Sequence, residues 1–184
     1  MMKKNNISKA ETLKIAIAGS RERLYRVALA WCGDEMLADD LVQDAIAAGI
    51  AKQSQLREPN LLYAWLYSIL NNKWHRYLQL RKPQGVEVDD QLASDEPEPS
   101  THCQELELVV QVRSVIATLP MKERQVISLV DLDELSYCEV AKALDIPIGT
   151  VMSRLHRGRK RLLEKIECHA AASRPATGHL FRVK

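Results

Sequence analysis

The stretch Leu135–Arg161, LSYCEVAKALDIPIGTVMSRLHRGRKR, constrains this chain more than any other, because it encodes two short helices and the turn between them. Ser136, followed three residues later by Glu139, is a capping box in which each side chain closes the other's free backbone N–H. Val140, Ala141 and Leu144 then share one helical face. Asp145 ends that helix, since a short polar side chain tolerates the left-handed backbone of a sharp exit. Pro147 presets φ for the first turn of the next helix, where a missing N–H matters little. In that second helix Ile148, Val151 and Leu155 are the predicted buried face, with Gly149, Ser153, His156, Arg157 and Lys160 opposite. A polar, cationic face on the second helix of such a pair is what entry into a DNA major groove requires. From Arg154 to Lys165 the cations Arg154, Arg157, Arg159, Lys160, Arg161 and Lys165, with His156, stand against the single acid Glu164.

The net charge of the whole chain is only +2, so affinity for nucleic acid has to come from segregated charge rather than a global field. That segregation is visible. Residues 83–112 carry Glu87, Asp89, Asp90, Asp95, Glu96, Glu98, Glu105 and Glu107 with no Lys or Arg until Arg113, and Pro83, Gly85, Pro97 and Pro99 break structure. The composition up to about Thr101 predicts an extended, self-repelling linker between two basic helical units. The expected organisation is therefore all-α: a first domain over 1–82, an acidic flexible linker over 83–103, a second domain with the helix-turn-helix over 104–168, and a flexible tail over 169–184.

Within the first unit, Ser8 and Glu11 open a helix that fades at Gly19, and Leu24, Val27, Ala28 and Trp31 follow helical spacing to a Gly33-Asp34 turn. Leu37, Leu41, Val42, Ala45 and Ile46 form an apolar stripe, with Asp39, Asp40, Gln43 and Asp44 on the other side. That acidic face suits either solvent or a partner with exposed Arg and Lys. In LLYAWLYSILNNKWHRYLQLRK, Leu66, Ile69, Leu70 and Tyr77 are predicted to face inward. Ser68, Asn71, Asn72, His75, Arg76 and Gln79 make one continuous polar face, with Lys73, Arg81 and Lys82 close by. Asn and Arg can read base edges, and the aromatics Tyr63, Trp65, Tyr67, Trp74 and Tyr77 could stack on unpaired bases or simply fill a core. Core is the expectation for Trp65, nucleic-acid contact for Asn72 and Arg76. In the second unit a helix is expected from Glu105 to Pro120 and another over about Met121–Leu132.

Chemistry of other kinds finds no support. There is no glycine-rich phosphate loop, nucleophile motif or metal constellation. Cys32, Cys103, Cys138 and Cys168 are scattered without a CxxC pair, which argues against a disulfide framework. His102-Cys103 and Cys168-His169 lack the second-ligand spacing of a metal site, so no cofactor is expected. No run approaches the ~18–20 apolar residues of a membrane span, and the first twenty residues lack a signal-peptide core, so the expected location is cytoplasmic.

Three segments, LYRVALAWCGDEMLADDLVQDAI, AWLYSILNNKWHRYL and LPMKERQVISLVDLDELSYCEVAKALDIPIGTVMSRLHRGRKRL, together resemble bacterial RNA polymerase sigma factors of the extracytoplasmic-function (ECF) class over about Leu24–Ile166. The resemblance implies two helical domains, called regions two and four, that bind core RNA polymerase, direct it to promoter DNA and help melt it, with no enzymatic activity. It implies that Asp40, Gln43 and Asp44 dock on the β′ clamp helices and that the β flap is a further polymerase contact. By the same resemblance Asn72 and Arg76, with Lys73 and His75 beside them, meet the minus-ten element. Ser153, His156 and Arg157, flanked by Thr150 and Lys160, meet the minus-thirty-five element. It also implies an anti-sigma factor as a partner and a stress or envelope response as the setting. Three positions depart from the pattern: Met152 stands where a basic residue is common, Leu56 replaces a frequent aromatic, and Ala47–Ala48–Gly49 is small.

Two rivals remain on the residues alone. A stand-alone helix-turn-helix regulator would need a dimerisation surface, and no heptad supplies one. A protein-interaction adaptor would leave the basic recognition face without a purpose.

Overall fold

The computed structural model describes residues 8–81 and 115–172, with side chains as far as Ile166. Local signals set most helix ends. Ser8 accepts a hydrogen bond from the Glu11 N–H and starts α1 (Lys9–Gly19). α2 (Arg21–Cys32) stops at Gly33, whose φ of 70° is left-handed and whose N–H reaches Leu29 O at 2.8 Å. Asp34 then caps α3 (Glu35–Ala51) by accepting from Leu37 N at 2.9 Å. Two short 3-10 turns, Gln53–Gln55 and Pro59–Leu61, lead into α4 (Leu62–Arg81).

Residues 115–117 are helical, and Pro120 precedes α5 (Met121–Ile127). The α-helix expected to continue to Leu132 instead widens into a π-helical turn over Ser128–Leu132. The Leu135 N–H closes that turn on Leu129 O at 3.0 Å, and Glu134 takes a left-handed φ of 58° to make the exit. α6 (Tyr137–Leu144) starts with both halves of the Ser136/Glu139 capping box formed and ends at left-handed Asp145 (φ 52°). α7 (Ile148–Ala172) follows and passes residue 168, where the sequence pattern places the end of the second unit. No strand occurs among the described residues. The acidic stretch, most of the helix expected from Glu105, His102, Cys103 and residues 173–184 lie outside the described residues, as do the side chains of Cys168 and His169.

Each unit builds its own packing. In the first, Leu24, Val27, Ala28 and Trp31 of α2 meet Leu41, Val42 and Ala45 of α3 and Leu66 and Leu70 of α4. Gly49 lets α3 approach α4 closely: a Cβ there would lie 3.0 Å from Leu66 Cδ2. In the second, Val126 and Ile127 of α5 pack on the α7 face of Val151 and Leu155, which also receives Val140 and Leu144 of α6. Ile148, expected on the buried face, is 42% exposed because it sits in the first turn, ahead of where α7 meets the core.

The two units do not stand apart. α4 runs along α6, and α2 packs on α5 and on the π turn, so one apolar cluster passes through both units. Arg124 pins this joint from inside. Its buried guanidinium donates to Trp31 O at 3.0 Å and Leu119 O at 2.9 Å, and also to Ala117 O. Burial lowers its pKa to about 10, so it keeps its charge at neutral pH and needs those carbonyls.

Candidate nucleic-acid interface

Two exposed polar faces remain once the core is assembled. The first is on α7, positioned by the Asp145 exit and by Pro147, whose carbonyl accepts the Thr150 N–H at 2.8 Å. Thr150 is half-buried, while Ser153, His156, Arg157 and Lys160 are exposed, with Ser153 Oγ donating to Thr150 O at 3.1 Å. The geometry is that of a helix-turn-helix whose second helix presents donors outward.

The cations of α7 are more divided than their sequence clustering predicts. Arg159 Nε and NH2 hold both oxygens of Asp131 at 3.2 and 2.5 Å, which raises the arginine's pKa. Arg161 donates to Glu123 Oε2 at 3.1 Å, and Arg157 Nε lies 3.5 Å from Glu123 Oε1. Lys165 reaches Thr118 Oγ1 at 2.6 Å. Several of these charges therefore tie α7 to its own unit rather than pointing at a ligand. Glu123 and Asp131 were not singled out from sequence; nothing local marks either acid, and only the fold gives it a partner.

Met152, the position that departs from the expected basic residue, is 49% exposed. With Tyr137, Leu155, His156 and Leu163 it lines a shallow groove of about 430 Å³ edged by Arg159 and Lys160.

The second face is on α4. Asn72, His75, Arg76 and Gln79 are exposed in one row, but Asn71 is not: its Oδ1 accepts from Gln125 Nε2 at 2.8 Å and the residue is buried. The face expected to be continuous is thus interrupted at Asn71, because α5 covers it. Partial burial lowers the pKa of His75, which favours the neutral ring. Lys73 turns sideways to Asp44 Oδ2 at 2.9 Å. Among the aromatics, Tyr67 and Trp74 are buried and Trp65 is half-buried, in keeping with the core reading of Trp65. Tyr77 stacks on Trp74 with centroids 5.7 Å apart, and Tyr63 carries the Arg23 guanidinium 3.7 Å above its ring.

On α3, Asp40, Gln43 and Asp44 are exposed on one side. Gln43 Nε2 donates to Asp39 Oδ2 at 2.9 Å and Arg21 pairs with Asp39, so Asp39, like Asp44 with its Lys73 partner, is already engaged within the chain. Among the described residues no cluster of His, Cys, Asp or Glu could hold a metal ion, and no helix is long and apolar enough to cross a membrane.

An all-α chain with a helix-turn-helix, a second polar helix face and an exposed acidic face has the make-up of a DNA-binding factor that works with a protein partner. Comparison with known proteins makes this specific. Residues 17–83 match the Sigma-70 region 2 family and residues 110–162 match Sigma-70, region 4. The ECF sigma-E factor of Escherichia coli K12 is 33% identical over 141 residues, covering 70% of this chain and 73% of that protein. ECF sigma factor SigW of Bacillus subtilis is 29% identical, covering 79% and 84%. SigE of Mycolicibacterium smegmatis is 28% identical over 82% of this chain but only 60% of its own length. Among solved structures, the sigma factor RpoE of Bartonella quintana, in complex with the anti-sigma factor NepR, superposes with a TM-score of 0.68 at 25% identity, covering 85% of this chain and 98% of that one. The chain belongs to the ECF RNA polymerase sigma factors, which are transcription initiation factors rather than enzymes.

Proposed function

We propose that this chain joins core RNA polymerase through the α3 face and reads a promoter with two helices, α4 at the minus-ten element and α7 at the minus-thirty-five element. The observation that carries this is the pair of exposed polar faces on separate units, with the acidic α3 face alongside one of them. Asp40, Gln43 and Asp44 would meet the β′ clamp helices, and the second unit would meet the β flap. Asn72 and Arg76, with Lys73 and His75 beside them, are assigned to bases that become unpaired. Ser153, His156 and Arg157 are assigned to the major groove, with Thr150 and Lys160 at its edges. The first unit spans 1–82 and the second 104–168, joined by the acidic residues 83–103.

A single small module buries only ~600–1,000 Å² on DNA. Two modules held in register by polymerase gain affinity that neither has alone. The solved RpoE–NepR complex supports an anti-sigma factor as a partner here; the setting we assign is a stress or envelope response, with the chain working in the cytoplasm.

The test is run-off transcription with core polymerase on a promoter library. A preferred pair of elements, lost separately on Asn72→Ala and Arg157→Ala, supports the assignment. Equal binding to one operator with and without polymerase, read by gel shift, would point instead to a stand-alone regulator.

A further inference from the structure

Exposed apolar side chains gather along one flank of α7. Ile148, Met152 and Leu163 share that flank, Tyr137 stands beside it at the start of α6, and all four reach solvent. A singly exposed apolar residue is ordinary. Met152 differs by its place. It adjoins Ser153 and lies one turn before His156, on the side of α7 that is open to a ligand. Helical side chains lean toward the N-terminus of their helix, so Met152 is directed to the end of α7 that enters a groove first. Gly149, a turn earlier, has open space where a side chain would stand.

The surroundings of Met152 select an anionic occupant with an apolar group on it. His156, Arg159 and Lys160 edge the groove, and among the described residues no acid lines it. Arg159 is already engaged by Asp131 and Tyr137, so it forms a fixed wall. Met152 offers nothing to a phosphate: an uncharged thioether, at most a weak acceptor, stands where the sequence pattern expects a cation. In the major groove the base pairs display donors and acceptors, and the one apolar group among them is the C5 methyl of thymine. Leu163 lies about three turns further along α7, roughly 16 Å, which exceeds the ~12 Å width of a major groove and sets it outside that contact.

We propose, resting on the assignment of α7 to the minus-thirty-five element, that Met152 is a specificity-determining residue that packs on the C5 methyl of a thymine in that element. Methionine in place of a cation then replaces a contact common to all sequences with one that only thymine satisfies. The amino group of adenine or cytosine, set against the thioether, loses water without gaining a strong acceptor. Covering one methyl should change affinity by about fourfold.

The experiment uses the full chain loaded on core polymerase, with the upstream element preferred in a promoter library as the probe. Each thymine of that element, on either strand, is replaced in turn by deoxyuridine, which keeps every hydrogen-bonding group and lacks only the methyl. The wild type is expected to lose about fourfold affinity at one position. Met152→Ala should bind the thymine element with that loss already taken and be indifferent to deoxyuridine there, while a base-pair change elsewhere in the element affects both proteins alike. Met152→Leu, still apolar, should keep the response. Met152→Arg should ignore the methyl and steepen the salt dependence by roughly one counterion. A preferred element without thymine overturns the assignment of Met152, as does a wild type that is indifferent to deoxyuridine throughout. A response undiminished in Met152→Ala overturns it too. Unchanged DNA binding by Met152→Ala with weaker co-purification with polymerase would mean that the groove docks protein instead. Absence of any preferred upstream element removes the reading of α7 itself, whereas a preferred element indifferent to the methyl removes only Met152 from it.

Discussion

Glu123 of α5 lies beneath α7 with Arg157 on one carboxylate oxygen, at 3.5 Å, and Arg161 on the other, at 3.1 Å. The acid is 6% exposed, while both arginines reach the surface. It therefore sets where the Arg157 guanidinium can point. Glu123→Gln keeps the shape and removes the charge. Stability is expected to fall by about 1 kcal/mol, since both cations can turn to solvent. The salt dependence of DNA binding should steepen by roughly one counterion as Arg157 turns to phosphate. Discrimination between the preferred upstream element and a scrambled one should narrow. Arg157→Ala should also narrow it, with unchanged co-purification with polymerase. An unaltered discrimination ratio in Glu123→Gln would show that the carboxylate does not orient Arg157.

Gly158 lets α7 lie close against α5. A Cβ at this position would sit 2.5 Å from Ile127 Cδ1 and 3.3 Å from Glu123 Cβ. Gly158→Ala gains about 1 kcal/mol of helix propensity but forces the Ile127 side chain to move, at about 1–3 kcal/mol. The net expectation is a lower urea midpoint. Ile127→Val removes Cδ1, so the alanine should be much better tolerated in the double variant, with a coupling of about 1 kcal/mol or more. Gly19→Ala is the control, having nothing within 4 Å of its added carbon. Additive effects of the Gly158 and Ile127 changes would mean that the helix shifts as a whole.

The parts of this molecule that were legible in the sequence are those made by neighbours in the chain. The capping box at Ser136, the left-handed Asp145 and the Gly33 exit depend on contacts within six residues, and local chemistry predicts them. Asn71 and Asn72 could not be separated by period, because what buries Asn71 is Gln125, 54 residues away. Arg23 and Asp133 are 110 residues apart, and no local pattern marks an aspartate as destined for burial. The π turn at Ser128–Leu132 is equally invisible: its sequence suits an α-helix, and the widening comes with the exit through Glu134 and the contact of Ser128 with Trp31. The exposed polar faces were thus legible in sequence, whereas the joint between the units is purely a matter of tertiary structure.

Asp44 and Lys73 connect the α3 face to the α4 face at 2.9 Å, so a residue assigned to polymerase holds one assigned to DNA. Asp44 is exposed and Lys73 half-buried, and loss of the pair should alter stability by about 1 kcal/mol or less. Gln43→Ala with Asp44→Ala should reduce co-purification with core polymerase while the melting temperature stays nearly constant. Lys73→Ala should leave co-purification intact and weaken minus-ten binding on all sequences alike, as a backbone contact would. Equal retention of polymerase by the Gln43/Asp44 variant and the wild type would remove α3 from the docking surface.

His75 gives the α4 face a pH response whose sign follows from its burial. Partial desolvation lowers its folded pKa below the ordinary 6.5. In the unfolded chain the ring takes up a proton first as pH falls. The stability linked to neutral His75 is therefore present above 6.5 and is lost as pH falls from there through the folded pKa. His75→Gln removes this titration, so the urea midpoint of the variant should fall less than that of the wild type between pH 7.5 and 5.5. A nearby DNA phosphate favours the charged ring, so promoter binding is expected to raise the His75 pKa, with proton uptake near pH 6 measurable by calorimetry in buffers of different ionisation enthalpy. Proton uptake that is the same in His75→Gln would place the titrating group elsewhere.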